Sequence, residues 1–129
     1  MGGPRPRTDS LAGVNLLEVN TGERGGAVYV ALRGELDLST VDKAERALLE
    51  AEKASPPLML IDLSALTFLD STGLRTIVTA DLRAREGDRR VVVVKGNETV
   101  HRVFTITRLD ERLNMVDDAE SGVAPDAGA

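Results

Sequence analysis

The 129-residue sequence contains no cysteine and no tryptophan. Disulfide staples, thiolate zinc sites and cysteine nucleophiles are therefore excluded. Aromatic residues make up only 2% of the chain, too few for the stacking platforms that grip single-stranded nucleic acid. His101 is the only histidine, so any metal site would rest on carboxylates alone. No apolar run is long enough to span a bilayer, and the start, Met1-Gly2-Gly3-Pro4-Arg5-Pro6-Arg7, lacks the apolar stretch of a secretion signal. The expectation is a soluble cytoplasmic protein. A strong positive charge is missing as well: the formal net charge is −5. Arg5, Arg7 and Asp9 give residues 1–12 a charge of +1, and Asp117, Asp118, Glu120 and Asp126 give residues 117–129 a charge of −4, leaving −2 between them. A nearly balanced core without a basic stripe argues against nucleic acid as the main partner.

The length suits one domain. Both ends are rich in Gly, Pro, Ala and Asp, so residues 1–12 and 118–129 are expected to be flexible tails flanking a domain at 13–117. Inside that domain, strand-like and helix-like segments alternate. Residues 14–20 read as a strand, with turn formers at 21–26. Val28, Val30 and Leu32 then alternate on one face of a strand over 27–33, and the two segments are expected to pair as an antiparallel hairpin. A loop over 34–40 leads to a helix with Val41, Ala44, Leu48 and Ala51 on one side, Ser39 or Thr40 as cap and Asp42 in its first turn. Ser55-Pro56-Pro57 stops it. Residues 58–63 read as a strand covered on both faces, 64–70 as a loop, and the next stretch as a helix with Leu74, Ile77, Val78 and Leu82 on its apolar side, ending near Gly87. Val91 to Val94 is the clearest buried strand. A third helix starts near Glu98 with Asn97 as cap, and a short strand closes the domain over 112–116. The order predicts an α/β fold, mostly parallel, with one antiparallel strand at its start.

Ligands of open α/β sheets gather beyond the carboxyl ends of the strands. The loop over 64–70 and Asp37 both fall there. Ser71 opens a helix, where backbone N–H groups lack partners and the dipole is positive. A phosphate on Ser71 would find donors nearby and would bring a charge of about −1.5 to −2 beside Asp70 and Asp37. From local chemistry alone the plainer account of Ser71 is an N-cap, and the plainer account of Gly73 is close helix packing.

Gly34-Glu35-Leu36-Asp37, then Ile61-Asp62-Leu63-Ser64, then Phe68-Leu69-Asp70-Ser71-Thr72-Gly73-Leu74 together resemble the STAS family, and within it the bacterial anti-sigma factor antagonists, over about residues 13–117. The resemblance implies a mixed, mostly parallel sheet with helices mainly on one face, a (βα) superhelix. It implies that Ser71 is the phosphoacceptor and that Asp37 lies close to it. Asp70, Thr72 and Gly73 complete the neighbourhood, with the Thr72 hydroxyl a second possible acceptor. The implied partner is an anti-sigma factor that is also a serine kinase: the unphosphorylated antagonist binds it and frees a sigma factor, phosphorylation ends binding, and a PP2C-type phosphatase resets the switch. The partner surface would include the Asp37 loop, the Ser71 helix start and the exposed face of residues 72–85. No catalytic residue, cofactor or metal ligand is assigned, and a monomer is expected. Members of the family often end with a further helix; here at most a short one is expected before the tail.

Other readings stay open at this level. A STAS module acting in trans in a sensory complex or transporter assembly fits the same residues. A nucleotide-binding module would use the same strand ends but lacks a glycine-rich phosphate loop. A serine hydrolase reading fails for want of a Gly-x-Ser-x-Gly elbow, with His101 as sole base. Asp37, Asp62 and Asp70 form a carboxylate set, although for Asp62 and Asp70 capping of loop N–H groups is the simpler role. Arg83, Arg85, Arg89 and Arg90, interleaved with Glu86 and Asp88, read as a solvated helix end.

Overall fold

The computed structural model describes residues 16–123; the readings made on residues 1–15 and 124–129 lie outside them. Five strands form one sheet in the order β1-β2-β3-β4-β5. They are β1 (Leu17–Arg24), β2 (Ala27–Leu36), β3 (Leu58–Leu69), β4 (Arg90–Val94) and β5 (Asn114–Val116). Between them run α1 (Val41–Glu52), α2 (Ser71–Glu86), α3 (Glu98–Ile106) and a single 3-10 turn at Leu109–Glu111, and α4 (Ala119–Val123) follows β5. β1 pairs with β2 antiparallel, and every other pairing is parallel. The hairpin closes through Gly25 and Gly26, with φ of 59° and 85°, the two consecutive positive values that a tight two-residue hairpin turn requires.

The strand periodicity of two separates the side chains into two cores. Met59, Ile61 and Leu63 of β3, with Val91 and Val93 of β4, join Leu48 of α1, Ile77 of α2 and Phe104 of α3 in the larger one. Leu60, Val92 and Val94 point to the opposite face and meet Ala119 of α4. Three helices thus cover one face, and one short helix covers part of the other. α2 is tied to α1 by a two-pronged ion pair: Arg83 Nε and Nη2 donate to the two Glu52 carboxylate oxygens, each at 2.7 Å. That hydrogen bonding holds the Arg83 guanidinium above its ordinary pKa against the opposing effect of burial.

Several boundaries differ from expectation. β2 runs on to Leu36 and β3 to Leu69, where loops were expected after 33 and 63. The two strands stay paired there, Gly34 with Leu66 and Leu36 with Leu69, by inserting extra β3 residues at two register shifts. Such bulges break the alternation that a sequence reader follows. Gly34 permits this course: its φ is 108°, and a Cβ would sit 2.5 Å from the Leu16 carbonyl oxygen. β1 continues through 21–24, read as turn, because each of those residues pairs with β2. β5 starts at Asn114, two residues late, since the 3-10 turn precedes it. Leu82 is half exposed, because the buried stripe of α2 advances through Ile77, Ala80, Asp81 and Ala84 instead. Residues 119–123 form the short α4, in keeping with the short last helix that the sequence allowed. Ala119 is buried on the sheet, and Gly122 lies so close that a Cβ would meet Leu60 at 2.5 Å.

Candidate functional site

The carboxyl ends of β2 and β3 lie side by side, and each leads directly into a helix. β2 ends at Leu36 and passes through Asp37 to α1; β3 ends at Leu69 and passes through Asp70 to α2. The register that pairs Leu36 with Leu69 brings the two connections together.

Asp70 caps α2. Its Oδ1 accepts from the Gly73 N–H at 2.9 Å, and its Oδ2 accepts from the Leu38 N–H at 3.1 Å. One carboxylate therefore satisfies a helix-start donor and fastens the neighbouring loop. Because Asp70 is the cap, Ser71 is left as the first helical residue. It is exposed, and its hydroxyl makes no hydrogen bond among the described residues. Thr72 is half buried. Gly73 is buried, and a Cβ there would fall 2.6 Å from Leu36 Cγ and 2.8 Å from Leu69 Cδ1. Its missing side chain seats the first turn of α2 on the ends of both strands.

Asp37 is 7% exposed. Its Oδ1 accepts from the Ser39 N–H at 2.9 Å and the Ser39 hydroxyl at 2.7 Å, and its carbonyl accepts from the Val41 N–H at 2.8 Å. Thr40 stands at the α1 cap position without a side-chain cap bond; its hydroxyl donates to the Glu35 carbonyl at 2.8 Å and accepts from the Asp37 N–H at 3.0 Å. Asp37 thus turns the chain into α1, and the Thr40 hydroxyl makes no cap bond to the helix. Asp37 and Asp70 line one open cleft of about 620 Å³ together with Glu35, Leu38, Ser39 and Phe68.

The structure brings together Asp37, Asp70, Ser71, Thr72 and Gly73, and sets Asp62 apart. Asp62 lies in a separate hollow with Tyr29 and Ser64. Its Oδ1 accepts from the Ser64 N–H at 2.9 Å, and its Oδ2 accepts from the Tyr29 hydroxyl. Burial alone would raise the Asp62 pKa, but the Tyr29 and Ser64 hydrogen bonds outweigh it and hold the carboxyl below its usual range. The same hydrogen bond, with burial, raises that of Tyr29. Among the described residues no cluster of acidic and histidine side chains is arranged to hold a metal ion. His101 sits on α3 with its ring 6.1 Å from that of Phe104, and it does not line the cleft.

Four cleft residues were not singled out from the sequence: Glu35, Leu38 and Ser39, placed only within the Asp37 loop, and Phe68, placed only within a motif. Phe68 is 47% exposed although Leu66 and Leu69 beside it are buried. The register shift at Thr67 turns it outward, and that shift exists only in the paired strands. The available signal was compositional: Phe68 is one of three aromatic residues and stands three positions before Ser71.

The sheet order, the helix distribution and the paired strand ends define a class, the α/β regulatory domains of the STAS type. The sequence signature of the STAS domain matches residues 18–122, and the chain belongs to that family. It is 29% identical over 110 residues to the anti-sigma-F factor antagonist RsfB of Mycobacterium tuberculosis, covering 83% of this chain and 89% of that protein. The crystal structure of an anti-sigma factor antagonist from Mycobacterium paratuberculosis superimposes with a TM-score of 0.74 at 26% identity, over 84% of this chain and 92% of the other. The anti-sigma factor antagonist SpoIIAA in its unphosphorylated form shares the fold at a TM-score of 0.67 and 19% identity, over 81% and 92%.

Proposed function

We propose that this chain is an anti-sigma factor antagonist working in the cytoplasm as a phosphorylation-controlled binding protein. Its unphosphorylated form binds an anti-sigma factor that is also a serine kinase, and so releases a sigma factor. The chain is a substrate in this cycle and performs no catalysis. The kinase transfers the γ-phosphoryl group of ATP to Ser71: an Oγ–P bond forms, the bond to ADP breaks, and the hydroxyl loses its proton. A PP2C-type, metal-dependent phosphatase restores the hydroxyl by hydrolysis and releases inorganic phosphate.

The observation that carries this reading is the state of Ser71: exposed, at the first position of α2, and relieved of capping by Asp70. A phosphate there meets the positive end of the helix dipole, so the fold tolerates it. It also stands beside the carboxylate of Asp70, and a partner covering this face would have to bury that repulsion. Thr72 offers its hydroxyl from a half-buried position, which favours Ser71. The relatives named anti-sigma factor antagonists support the antagonist role.

The test is phosphosite mapping by mass spectrometry on protein taken from its own cells through growth and stress. Phosphate on Ser71, removed by a PP2C-type phosphatase, is the expected result. Modification of Thr72 alone, or none under any condition, would overturn it. Ser71→Ala should bind the kinase and resist phosphorylation. Ser71→Asp should bind less tightly while its stability, read by thermal unfolding, stays within about 0.5 kcal/mol of wild type, the range of an ordinary surface change.

A further inference from the structure

We propose that the outer edge of β1 pairs with the same edge of a second copy of this chain, antiparallel, about a twofold axis through Thr21. β1 stands at one end of the sheet order. The Glu35 N–H donates to the Leu16 carbonyl at 3.0 Å, and β1 keeps an unbroken register with β2 from Leu17 to Arg24. In the alternating antiparallel ladder the even-numbered residues of β1 therefore bond to β2, and the N–H and C=O groups of Val19, Thr21 and Glu23 point outward. Among the described residues these outward groups have no partner. The Leu17 carbonyl is taken by Lys43 Nζ at 2.7 Å, which closes the open stretch at its start. A long edge strand is usually blunted by a device such as a proline or a bulge, and β1 has neither.

The side chains select a second copy as the occupant. Leu17 and Val19 pack on the larger core, so Glu18, Asn20, Gly22 and Arg24 face the other side of the sheet. An axis through Thr21 sets Thr21 against Thr21 and Val19 against Glu23 as the hydrogen-bonded pairs. It also sets Glu18 of each copy directly opposite Arg24 of the other, where opposite charges stabilise a strand pair and like charges disfavour it. Moving the axis to Asn20 or Gly22 loses these charge pairs, and moving it to Glu18 or Glu23 opposes two like carboxylates. Within one copy Arg24 pairs with Glu120 at 3.1 Å, and Arg33 approaches Glu18 at 4.0 Å. The pairing joins these into a line of alternating charge: Arg33 and Glu18 of one copy, then Arg24 and Glu120 of the other. A groove of about 510 Å³, with Val19, Val28, Ala47 and Ala51 in its wall, lies beside the same edge on the α1 side, so the second strand also shields apolar surface. An extended peptide of another protein would use the same backbone groups, but a second copy brings by itself a glutamate and an arginine at the required spacing. β2 separates this edge from β3, and with it from Ser71, so the inference does not rest on the function proposed there.

The test is sedimentation of the full, unphosphorylated chain over a range of concentrations, with backbone amide exchange read on the same samples. The mass should rise with concentration from that of one copy toward that of two. The Val19, Thr21 and Glu23 amides should gain protection in step, while those of Asn20 and Gly22, already bonded to β2, hold theirs. Glu18→Arg and Arg24→Glu should each weaken self-association about tenfold, since each sets like charges against one another at both ends of the pairing. Mixed in equal amounts, the two variants should associate about as tightly as wild type, because the mixed pair regains a carboxylate opposite a guanidinium at both ends. The ion pairs these variants lose within one copy are exposed and add little to stability, so both should fold. Thr21→Pro removes an outward N–H, a change an edge strand tolerates, and should abolish the pairing. A mass that stays at that of one copy, the monomer expected from the sequence, overturns the proposal: outward amides that then exchange freely leave the edge to a peptide of another protein, and protected ones show that another segment of the same chain covers it. Association that leaves these amides unprotected, or that the charge variants do not weaken and their mixing does not restore, overturns it as well. The measurement uses neither kinase nor phosphate, so its failure is separable from that of the phosphorylation cycle.

Discussion

At the scale of single residues, the Asp70 carboxylate joins two tasks that a sequence cannot separate. It caps α2 through the Gly73 N–H and anchors the loop through the Leu38 N–H. Asp70→Ala should therefore lower stability by about 1 kcal/mol, the usual loss for a cap, as read by urea unfolding. It should also speed hydrogen exchange at the Leu38 amide more than at amides in β4. Tyr29 and Asp62 make a second residue-scale pair, on the far face of the sheet. The folded Asp62 pKa lies below its unfolded value, so its contribution is present above about pH 4 and is lost as pH falls through the folded value. The folded Tyr29 pKa lies above 10.0, so its contribution is complete below about pH 10 and is lost as pH rises through the folded value. Tyr29→Phe removes the Tyr29 term and the Tyr29 share of the Asp62 term, leaving the Ser64 hydrogen bonds to Asp62 in place. It should cost about 1.5 kcal/mol at pH 7, as for a hydrogen bond to a charged group, and thermal melts from pH 3 to pH 11 should flatten at both ends relative to wild type.

At the scale of elements, the switch region depends on how closely α2 can approach the ends of β2 and β3. Gly73 sets that approach, with the side chains of Leu36 and Leu69 where a Cβ would be. Gly73→Ala gains helix propensity, worth about 1 kcal/mol, but must push the first turn off two packed leucines, a strain of typically 1–3 kcal/mol. The expected outcome is net destabilisation, with NMR shift changes centred on residues 36–38 and 69–73. Gly22→Ala is the control, since nothing lies within 4 Å of a Cβ there, and its changes should stay local to β1. The contrast separates a packing role from the general effect of adding a methyl group.

At the scale of the whole molecule, the sheet is covered unequally. Three helices bury one face, while the other relies on α4 over Leu60, Val92 and Val94. An ion pair from Arg24 of β1 to Glu120 at 3.1 Å reaches across that face, although at such exposure it adds little. Ending the chain after Asp117 should expose this smaller core and lower the urea midpoint, by about 1–2 kcal/mol of stability for one or two apolar side chains returned to water. The larger core and the Ser71 region, on other elements, should keep their native spectrum. If the midpoint does not move, α4 contributes nothing to stability and the smaller core stands by itself.

The sequence by itself determined the element order, the antiparallel start, the three long helices with Asn97 as the α3 cap, and the motif around Ser71. These features are local: helix stripes, caps, proline stops and a buried valine run report on neighbours a few positions away. The sequence also carried the family resemblance, because the two motifs stand at fixed places in that order. The tertiary structure decided what depends on register. The bulges that lengthen β2 and β3 exist only in the pairing of the two strands, and they turn Phe68 outward and bring Asp37 and Asp70 to one cleft. Asp62, in the same stretch of sequence, went to the opposite face because side chains alternate along a strand. Whether Ser71 caps its helix or stands free was likewise undecidable from sequence, since both Asp70 and Ser71 are good caps. The Asp70 bonds to Gly73 and Leu38 settled that in favour of Asp70, because a carboxylate with two acceptor oxygens can hold two strand-end connections where a single hydroxyl cannot.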